Sequence, residues 1–174
     1  MNFRVWLEQR GEITAYHCGP QITNFSTDHI GGGEGNQILG PGIYFATDKS
    51  VAKMYCKYAD KPYLHEVILD TTNFYNPIQG TPHLYPALDK IAVELGYRDR
   101  DDMYEKVRGV STLRDGRGFI GTLVRAVGNQ KARDMFVENG VQGASEVIDH
   151  ESNTTEFAVF DPTVIRRVSS TPEN

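Results

Sequence analysis

Four side chains and one loop stand out as groups that could do chemistry. His17 lies near the end of the β-prone run ITAYHC, and Tyr44 lies within the apolar run GIYF. Tyr55 falls one helical stretch further along, and Glu156 opens the apolar run EFAVF near the other end of the chain. Residues 31–42 contain six glycines, which indicates an irregular loop that can approach a ligand closely. Aromatic faces bind cationic rings, and a fixed carboxylate stabilises positive charge that develops during a reaction.

Each of these side chains also has a purely structural interpretation. A histidine at a strand end is often a half-exposed surface residue, and tyrosines in apolar runs often belong to the core. Glu156 is harder to explain in this way, because an inward-facing carboxylate is costly unless it is paired or used. Strand alternation also allows Glu156 to face outward, with its apolar neighbours inside, and Glu146 and Glu151 would then be the candidate carboxylates. The pattern leaves both orientations open.

Three short segments together resemble one enzyme superfamily. The segments are YHCG at residues 16–19, GPGIYFA at 40–46 and TEFAVFD at 155–161. They resemble the ADP-ribosyltransferase superfamily, in the branch of diphtheria toxin and the poly(ADP-ribose) polymerases, which carries a His-Tyr-Glu signature. The resemblance covers about the first seventy and the last thirty residues. The run GIYFA followed by a second tyrosine is its most specific part.

The resemblance implies a fold and a set of catalytic roles. The fold is an α+β core of two small, mostly antiparallel sheets with a central cleft for NAD⁺. The helical middle at about residues 73–140 lies outside the resemblance, and its apolar residues at helical spacing predict an insertion. His17 would bind the nicotinamide-side ribose, while Tyr44 and Tyr55 would sandwich the nicotinamide ring. Glu156 would bind the 2′-hydroxyl of that ribose. His17, Tyr44 and Glu156 are thus the catalytic candidates, with NAD⁺ as co-substrate and no metal.

Three further residues complete the implied NAD⁺-binding set. Family members usually have glycine directly after the histidine, whereas here Cys18 intervenes and Gly19 follows. Polymerase-type members have a serine eight residues after the first tyrosine, where this chain has Ala52, with Ser50 two places earlier. We therefore expect Cys18, Gly19 and Ser50 to take part in NAD⁺ binding.

The implied activity is mono-ADP-ribosyl transfer, with release of nicotinamide, to a macromolecular acceptor that we expect to be a protein. Small members of this kind are carried by phages and mobile elements, where they serve as toxins or effectors. Alternatives are an NAD glycohydrolase, which uses water as the acceptor, and an inactive module that binds ADP-ribose or a partner. An RNA 2′-phosphotransferase is disfavoured, because it needs several basic residues around its phosphate and the chain is acidic.

The elements that must position these residues are strands at both ends of the chain and helices in its middle. Alternating and apolar runs predict strands over residues 13–18, 43–46, 63–70, 145–149, 155–160 and 164–169. Apolar residues at helical spacing predict a helix after Asp48 and further helices over 84–95, 101–107, 119–127 and 130–137. This order favours an α+β fold with a largely antiparallel sheet.

Length, net charge and cysteine count restrict the classes of protein to which this chain could belong. The chain has 174 residues, which fits one domain over residues 1–174 with a substantial core. Its net charge of −5 makes a nucleic-acid partner less favoured than a protein. We find no signal peptide and no apolar run long enough to span a membrane, so we expect a cytoplasmic protein, in the host cytoplasm if phage-encoded. Two cysteines are too few for a disulfide framework, which favours a reducing compartment. The sequence does not indicate the oligomeric state.

Overall fold

The computed structural model describes residues 11–26, 38–107 and 118–173. The strands that the sequence predicts are present with bounds that agree within three residues, and a further short strand, Phe74–Tyr75, was not predicted. The glycine-rich residues 31–37 lie outside the described parts of the chain. Seven strands are present in these parts: β1 Glu12–Gly19, β2 Ile43–Ala46, β3 Tyr63–Asp70, β4 Phe74–Tyr75, β5 Gly143–Asp149, β6 Thr154–Val159 and β7 Ile165–Pro172.

Five α-helices follow the same order in the described residues: α1 Lys49–Lys53, α2 Tyr85–Glu94, α3 Arg100–Val107, α4 Gly118–Val127 and α5 Asn129–Glu138. Short 3₁₀ turns lie at Cys56–Tyr58, Pro82–Leu84 and Pro162–Val164. Helix α1 begins because Asp48 accepts a hydrogen bond from the backbone N–H of Ser50, and this satisfies a donor that the first turn leaves free. The sequence predicted one longer helix here, but α1 ends after five residues and continues as a 3₁₀ turn.

The strands form a seven-stranded sheet in the order β4-β5-β6-β2-β1-β3-β7. The β4–β5 pair is parallel and the other ladders are antiparallel. The ladder between β1 and β2 consists of one register pair, Tyr16 opposite Ala46. By contrast, β1 pairs with β3 along its whole length and β2 pairs with β6 along all four residues. The sheet therefore nearly divides between β1 and β2 into halves of four and three strands.

The register also decides which side chains share a face of the sheet. Tyr16, Ala46, Glu156 and Glu146 are successive partners across four strands, so their side chains lie on the same face. We call this the tyrosine face, because Tyr44 lies on it two residues from Ala46. The opposite face, which we call the histidine face, carries His17 and its neighbours Phe45 and Phe157, which are opposite each other in the β2–β6 ladder.

Both faces are covered in the described structure. On the tyrosine face, Ala144 and Ala158 join a core that includes residues from α2, α3, α4 and α5, and Tyr44 packs against it. On the histidine face, residues from both halves of the sheet form one cluster: Ala15, Phe45, Val67, Leu69, Phe157 and Val159. Helices from the middle of the chain thus complete the core of the sheet.

The α+β class predicted from the sequence is confirmed, but two separate sheets are not seen. The hydrogen-bonded ladders link all seven strands into one mixed sheet, and the division is reduced to the single-pair junction between β1 and β2. Of the described residues, none belongs to a helix long and apolar enough to cross a membrane.

The phenyl ring of Phe160 joins the helices to the strand that carries Glu156. Phe160 directly follows β6, is 1% exposed, and stacks on Phe136 of α5 with ring centroids 5.1 Å apart. We expect Phe160→Ala to lower the free energy of unfolding by about 3–5 kcal/mol, because it leaves a cavity in this core. Ile78→Ala is the control: its side chain is 60% exposed, and we expect a change of at most about 0.5 kcal/mol. Urea denaturation measures both, and similar values would contradict this role of Phe160.

Candidate functional site

His17 lies at the point where β1 and β2 part. If the register of the Tyr16–Ala46 pair continued, Cys18 would lie opposite Tyr44. Instead, the backbone carbonyl of Tyr44 accepts a hydrogen bond from Nδ1 of His17 at 2.8 Å. A side-chain donor therefore takes the place of a ladder contact, and the two halves of the sheet separate here.

This hydrogen bond also fixes the tautomer of the imidazole. A carbonyl oxygen only accepts, so Nδ1 carries the proton and Nε2 keeps its lone pair. Burial lowers the pKa of His17 to about 4, against the opposing effect of the Tyr44 carbonyl and with a further lowering by His65. The ring is thus neutral at pH 7, and Nε2 is a hydrogen-bond acceptor suited to a hydroxyl group.

Gly19 allows the imidazole to adopt this position. A Cβ at Gly19 would lie 2.8 Å from Nε2 of His17, which is closer than a Cβ atom approaches a non-bonded atom. On its other sides, the imidazole contacts the rings of Phe25, Phe45 and His65, with centroids 5.9, 5.5 and 6.0 Å away. The histidine is therefore held in place by aromatic packing, and the absence of a side chain at Gly19 leaves space beside Nε2.

Tyr44 lies under the end of the glycine-containing loop. Its hydroxyl accepts a hydrogen bond from the N–H of Leu39 and donates one to the carbonyl of Gly40, both at 3.0 Å. Burial raises the pKa of Tyr44 well above its ordinary value, and the charge of Glu156 raises it further. The phenol is therefore neutral and holds the loop, so any contact of Tyr44 with a ligand would use the face of its ring.

Tyr55 and Glu156 meet although 101 residues separate them in the chain. The hydroxyl of Tyr55 donates a hydrogen bond to Oε1 of Glu156 at 3.3 Å. Tyr55 is 40% exposed and its ring lies 6.5 Å from that of Tyr58. This contact brings the segment after GIYFA onto the strand of TEFAVFD, and it leaves part of the Tyr55 ring open to solvent.

The two orientations of Glu156 that the sequence left open are resolved in an unexpected way. Phe157 and Val159 are buried on the histidine face, so Glu156 points away from these apolar neighbours, as strand alternation allows. Yet the opposite face, on which Glu156 lies, is not open to solvent. This tyrosine face is also covered, and Ala158 on it is fully buried. The carboxylate is half-buried at the margin of the helical core.

The surroundings of Glu156 favour its protonated form. Burial raises the pKa of Glu156, the Tyr55 hydroxyl opposes this rise by donating to the carboxylate, and the charge of Glu146 adds to it. Glu146 is the direct partner of Glu156 in the β5–β6 ladder and is 9% exposed. A carboxylate held in a partly desolvated site near a second acid is a typical arrangement in catalytic centres.

A disulfide joins Cys18 of β1 to Cys56 of the 3₁₀ turn, with Cα atoms 5.1 Å apart. This corrects the expectation that two cysteines form no disulfide framework. Because disulfides persist in oxidising environments, the bond also weighs against the reducing compartment that the sequence favoured. Each cysteine directly follows a candidate residue, His17 or Tyr55, but nothing in the spacing along the chain predicts that the two cysteines meet. The bond fixes the Tyr55 segment above β1.

Ser50 is not brought to the other candidates by any contact in the described structure. It is exposed, and its hydroxyl donates to Oδ1 of Asp48 at 2.6 Å as part of the cap of α1. Tyr44, Tyr55 and Glu156 gather on the tyrosine face, whereas His17 lies on the opposite face and is linked to them by its hydrogen bond to the Tyr44 carbonyl. Cys18 is joined to the segment that carries Tyr55 by its disulfide with Cys56.

Two further features of the described residues lie outside this constellation. A pocket of about 260 Å³ is lined by Glu12, Asp70, Gln142 and Arg166 together with neighbouring residues, and contains none of the candidates. Within residues 11–26, 38–107 and 118–173, no group of three or more His, Cys, Asp or Glu side chains could hold a metal ion.

Comparisons with known proteins identify no family for this chain. No family model matches it, and no curated protein matches it. One solved structure, described as "Crystal structure of an anti-CRISPR protein", is similar with a TM-score of 0.47 and 14% sequence identity. The match covers 90% of this chain and 96% of that chain. At this level of similarity, the match shows neither family nor activity.

The raised pKa of Glu156 predicts the effect of removing its charge on stability. A carboxyl whose pKa is raised on folding stabilises the native state fully below its ordinary pKa, and this contribution is lost as the pH rises through the raised value. We therefore expect Glu156→Gln to melt at a higher temperature than the parent protein at pH 7–8, with the difference closing below about pH 4. Scanning calorimetry across this range measures it. Glu151→Gln changes an exposed carboxylate and should leave the melting temperature unchanged; a Glu156→Gln variant less stable than the parent at pH 7 would contradict the prediction.

The disulfide predicts a redox-dependent stability. Its two cysteines are 38 residues apart, and closing such a loop restricts the unfolded chain. We expect a dithiol reductant to lower the free energy of unfolding by about 2–4 kcal/mol, as measured by urea denaturation. The double variant Cys18→Ser, Cys56→Ser should show the lower stability at once and should not respond to reductant. Equal stability of the parent protein with and without reductant would argue against the bond.

Proposed function

We propose that this protein is a mono-ADP-ribosyltransferase that cleaves NAD⁺, releases nicotinamide and transfers ADP-ribose to a macromolecular acceptor, a protein rather than a nucleic acid. The observation that supports it most is the hydrogen bond between Tyr55 and Glu156, which unites two segments that resemble the family but lie 101 residues apart. Tyr44 lies on the same face of the sheet two positions from Ala46, the register partner of Glu156.

Glu156 has the chemistry that this reaction needs. When the bond between nicotinamide and C1′ of the ribose lengthens, positive charge develops on the sugar while a neutral ring leaves. A carboxylate fixed beside the sugar stabilises that charge more in the transition state than in the ground state. In the proposed reaction, the Tyr55 hydroxyl orients Glu156, whose ionised form stabilises the sugar and accepts a hydrogen bond from its 2′-hydroxyl.

The two tyrosines suit the leaving group. The nicotinamide of NAD⁺ is a cationic aromatic ring, and an aromatic face contributes about 0.5–2 kcal/mol to binding such a cation. Tyr55 offers a partly exposed ring, and Tyr44 offers a ring whose hydroxyl is already occupied by Leu39 and Gly40. We propose that nicotinamide binds between these rings and leaves from there as a neutral molecule.

His17 contributes from the junction of the two half-sheets. Its Nδ1–H holds the carbonyl of Tyr44, and its unprotonated Nε2 is free to accept a ribose hydroxyl. Gly19 leaves room beside Nε2 for that hydroxyl. In this proposal His17 sets both the position of Tyr44 and the pose of the sugar, and a protonated ring could not accept the hydroxyl.

We further propose that the protein acts in the cytoplasm, or in the host cytoplasm if it is encoded by a phage as a toxin or effector. The cytoplasm keeps most thiols reduced, so Cys18 and Cys56 would be thiols there. Activity measured with and without a dithiol reductant will tell which form of the chain is the working one.

A labelled-NAD⁺ assay tests the proposed function. The protein is incubated with a cell lysate and NAD⁺ labelled in its adenylate portion, and both nicotinamide release and label on macromolecules are measured. We expect labelled protein, and a loss of 10²–10³-fold in rate for Glu156→Gln, because a preorganised group that stabilises transition-state charge is worth about that much. Glu151→Gln should retain full activity.

The outcomes of this assay separate the candidate functions. Free ADP-ribose without labelled macromolecules would identify hydrolysis instead of transfer. Label that survives nuclease and disappears with protease would identify protein as the acceptor. No nicotinamide release by the parent protein would contradict NAD⁺ cleavage altogether.

A further inference from the structure

The second carboxylate beside Glu156 is not explained by the roles assigned so far. Glu146 of β5 is the direct register partner of Glu156 of β6. In an antiparallel ladder such partners lie on the same face with Cβ atoms about 4.5–5.5 Å apart. Glu146 is 9% exposed, so this acid lies inside the molecule, beside the candidate site.

The two glutamates are direct partners in the β5–β6 ladder. Like charges directly opposite each other in a ladder repel, and partial burial removes the water that would screen them. The adjacent positions on the same face carry small residues instead: Ala144 and Ala158 are the next pair along the two strands, and Ala46 flanks Glu156 on β2. The two acids are therefore an exception on a face that is otherwise apolar and closely packed.

The same register places a small, buried residue beside the acids. Ala46 is the neighbour of Glu156 on the side away from Glu146, and its methyl group is the smallest side chain. Beyond Ala46 the β1–β2 ladder has its single pair and then parts at His17. A sugar bound near this gap would have Glu156 beside it and Glu146 one strand further along the same face.

We infer that Glu146 is the general base that takes the proton of the acceptor during transfer, while Glu156 stays ionised to stabilise the sugar. This inference rests on the proposed function and adds to it a second catalytic residue. One carboxylate cannot do both tasks at once, because accepting the proton would remove the charge that stabilises the ribosyl cation. Reactions at glycosidic centres commonly divide these tasks between two carboxyl groups.

The step balances as follows. The acceptor Nu–H gives its proton to the carboxylate of Glu146 as Nu forms a bond to C1′ of the ribose. The bond from C1′ to the nicotinamide nitrogen breaks, and its electron pair neutralises the pyridinium ring, which leaves as nicotinamide. Glu146 then releases the proton to solvent, so that NAD⁺ and Nu–H become ADP-ribosyl-Nu, nicotinamide and H⁺.

Electrostatics agree with this division. The charge of Glu146 raises the pKa of Glu156. The Tyr55 hydroxyl donates to Glu156 and opposes that rise. The hydrogen bond thereby favours the ionised form of the acid that must remain charged.

Azide distinguishes a missing base from a missing cation stabiliser. Azide is an anionic nucleophile that needs no deprotonation, so it can replace an acceptor whose proton is no longer removed. The full-length parent protein, Glu146→Gln, Glu156→Gln and Glu151→Gln are incubated with NAD⁺ and the macromolecular fraction of a lysate, with and without sodium azide. Nicotinamide release, labelled protein and ADP-ribosyl azide are measured.

We expect Glu146→Gln to lose about 10²-fold or more in transfer at saturating NAD⁺, with an unchanged KM for NAD⁺. Azide should restore its nicotinamide release and yield ADP-ribosyl azide. Glu156→Gln should not be restored, because azide does not replace the charge that stabilises the ribosyl cation, and Glu151→Gln should behave as the parent protein. This pattern supports the inference, since a merely structural role of Glu146 would not respond to azide.

The contrary results are equally distinct. If the parent protein cleaves NAD⁺ and Glu146→Gln either transfers at the parental rate or is slow without rescue by azide, the inference is overturned and the proposed function stands. If the parent protein releases no nicotinamide with any nucleophile, the proposed function itself fails. Should Glu146→Gln not fold, Glu146→Asp replaces it: this variant keeps a carboxylate one methylene short, and an intermediate rate that azide increases supports the base role, whereas a rate indifferent to azide overturns it.

Discussion

The hydrogen bond from His17 Nδ1 to the carbonyl of Tyr44 is the contact on which the rest of the site depends. At 2.8 Å it replaces a strand-to-strand contact at the point where the sheet nearly divides. It holds β2 against β1 while letting the two strands part, and it fixes the imidazole as a neutral ring with Nε2 as acceptor. Without it, neither the gap between the half-sheets nor the position of Tyr44 beside that gap would be defined by a specific interaction.

Near this junction, contacts with distant parts of the chain hold the short segment that carries Tyr55 in place. The segment from Tyr55 to Tyr58 has little core of its own, because α1 ends after five residues. It is tied to β1 by the disulfide of Cys56 and to β6 by the bond from Tyr55 to Glu156. Two tethers to opposite halves of the sheet position a partly exposed aromatic ring beside a partly buried acid, which is a geometry that suits a bound cationic ring.

Stability and function make opposite demands on the tyrosine face. Ala144, Ala158 and the helices around Phe136 and Phe160 form an apolar core, and the same face carries Glu146 and Glu156 at its margin. Burial and the charge of Glu146 raise the pKa of Glu156. In the proposed reaction, Glu156 stabilises a charged transition state, which is a functional reason for an acid at this position.

The sequence by itself determined the elements and the candidates. The α+β class, the strands around His17, Tyr44 and Glu156 and the helices between residues 84 and 138 follow from periodicity, since apolar side chains at spacings of two or three to four must be buried together. The tertiary structure alone decided how they combine. Local patterns along the chain do not give the register between distant strands. The sequence therefore did not predict the near-division of the sheet, the facing pair Glu146–Glu156 or the covering of both faces around Glu156. The Cys18–Cys56 bond and the local role of Ser50 also depend on distances in space, which spacing along the chain does not supply.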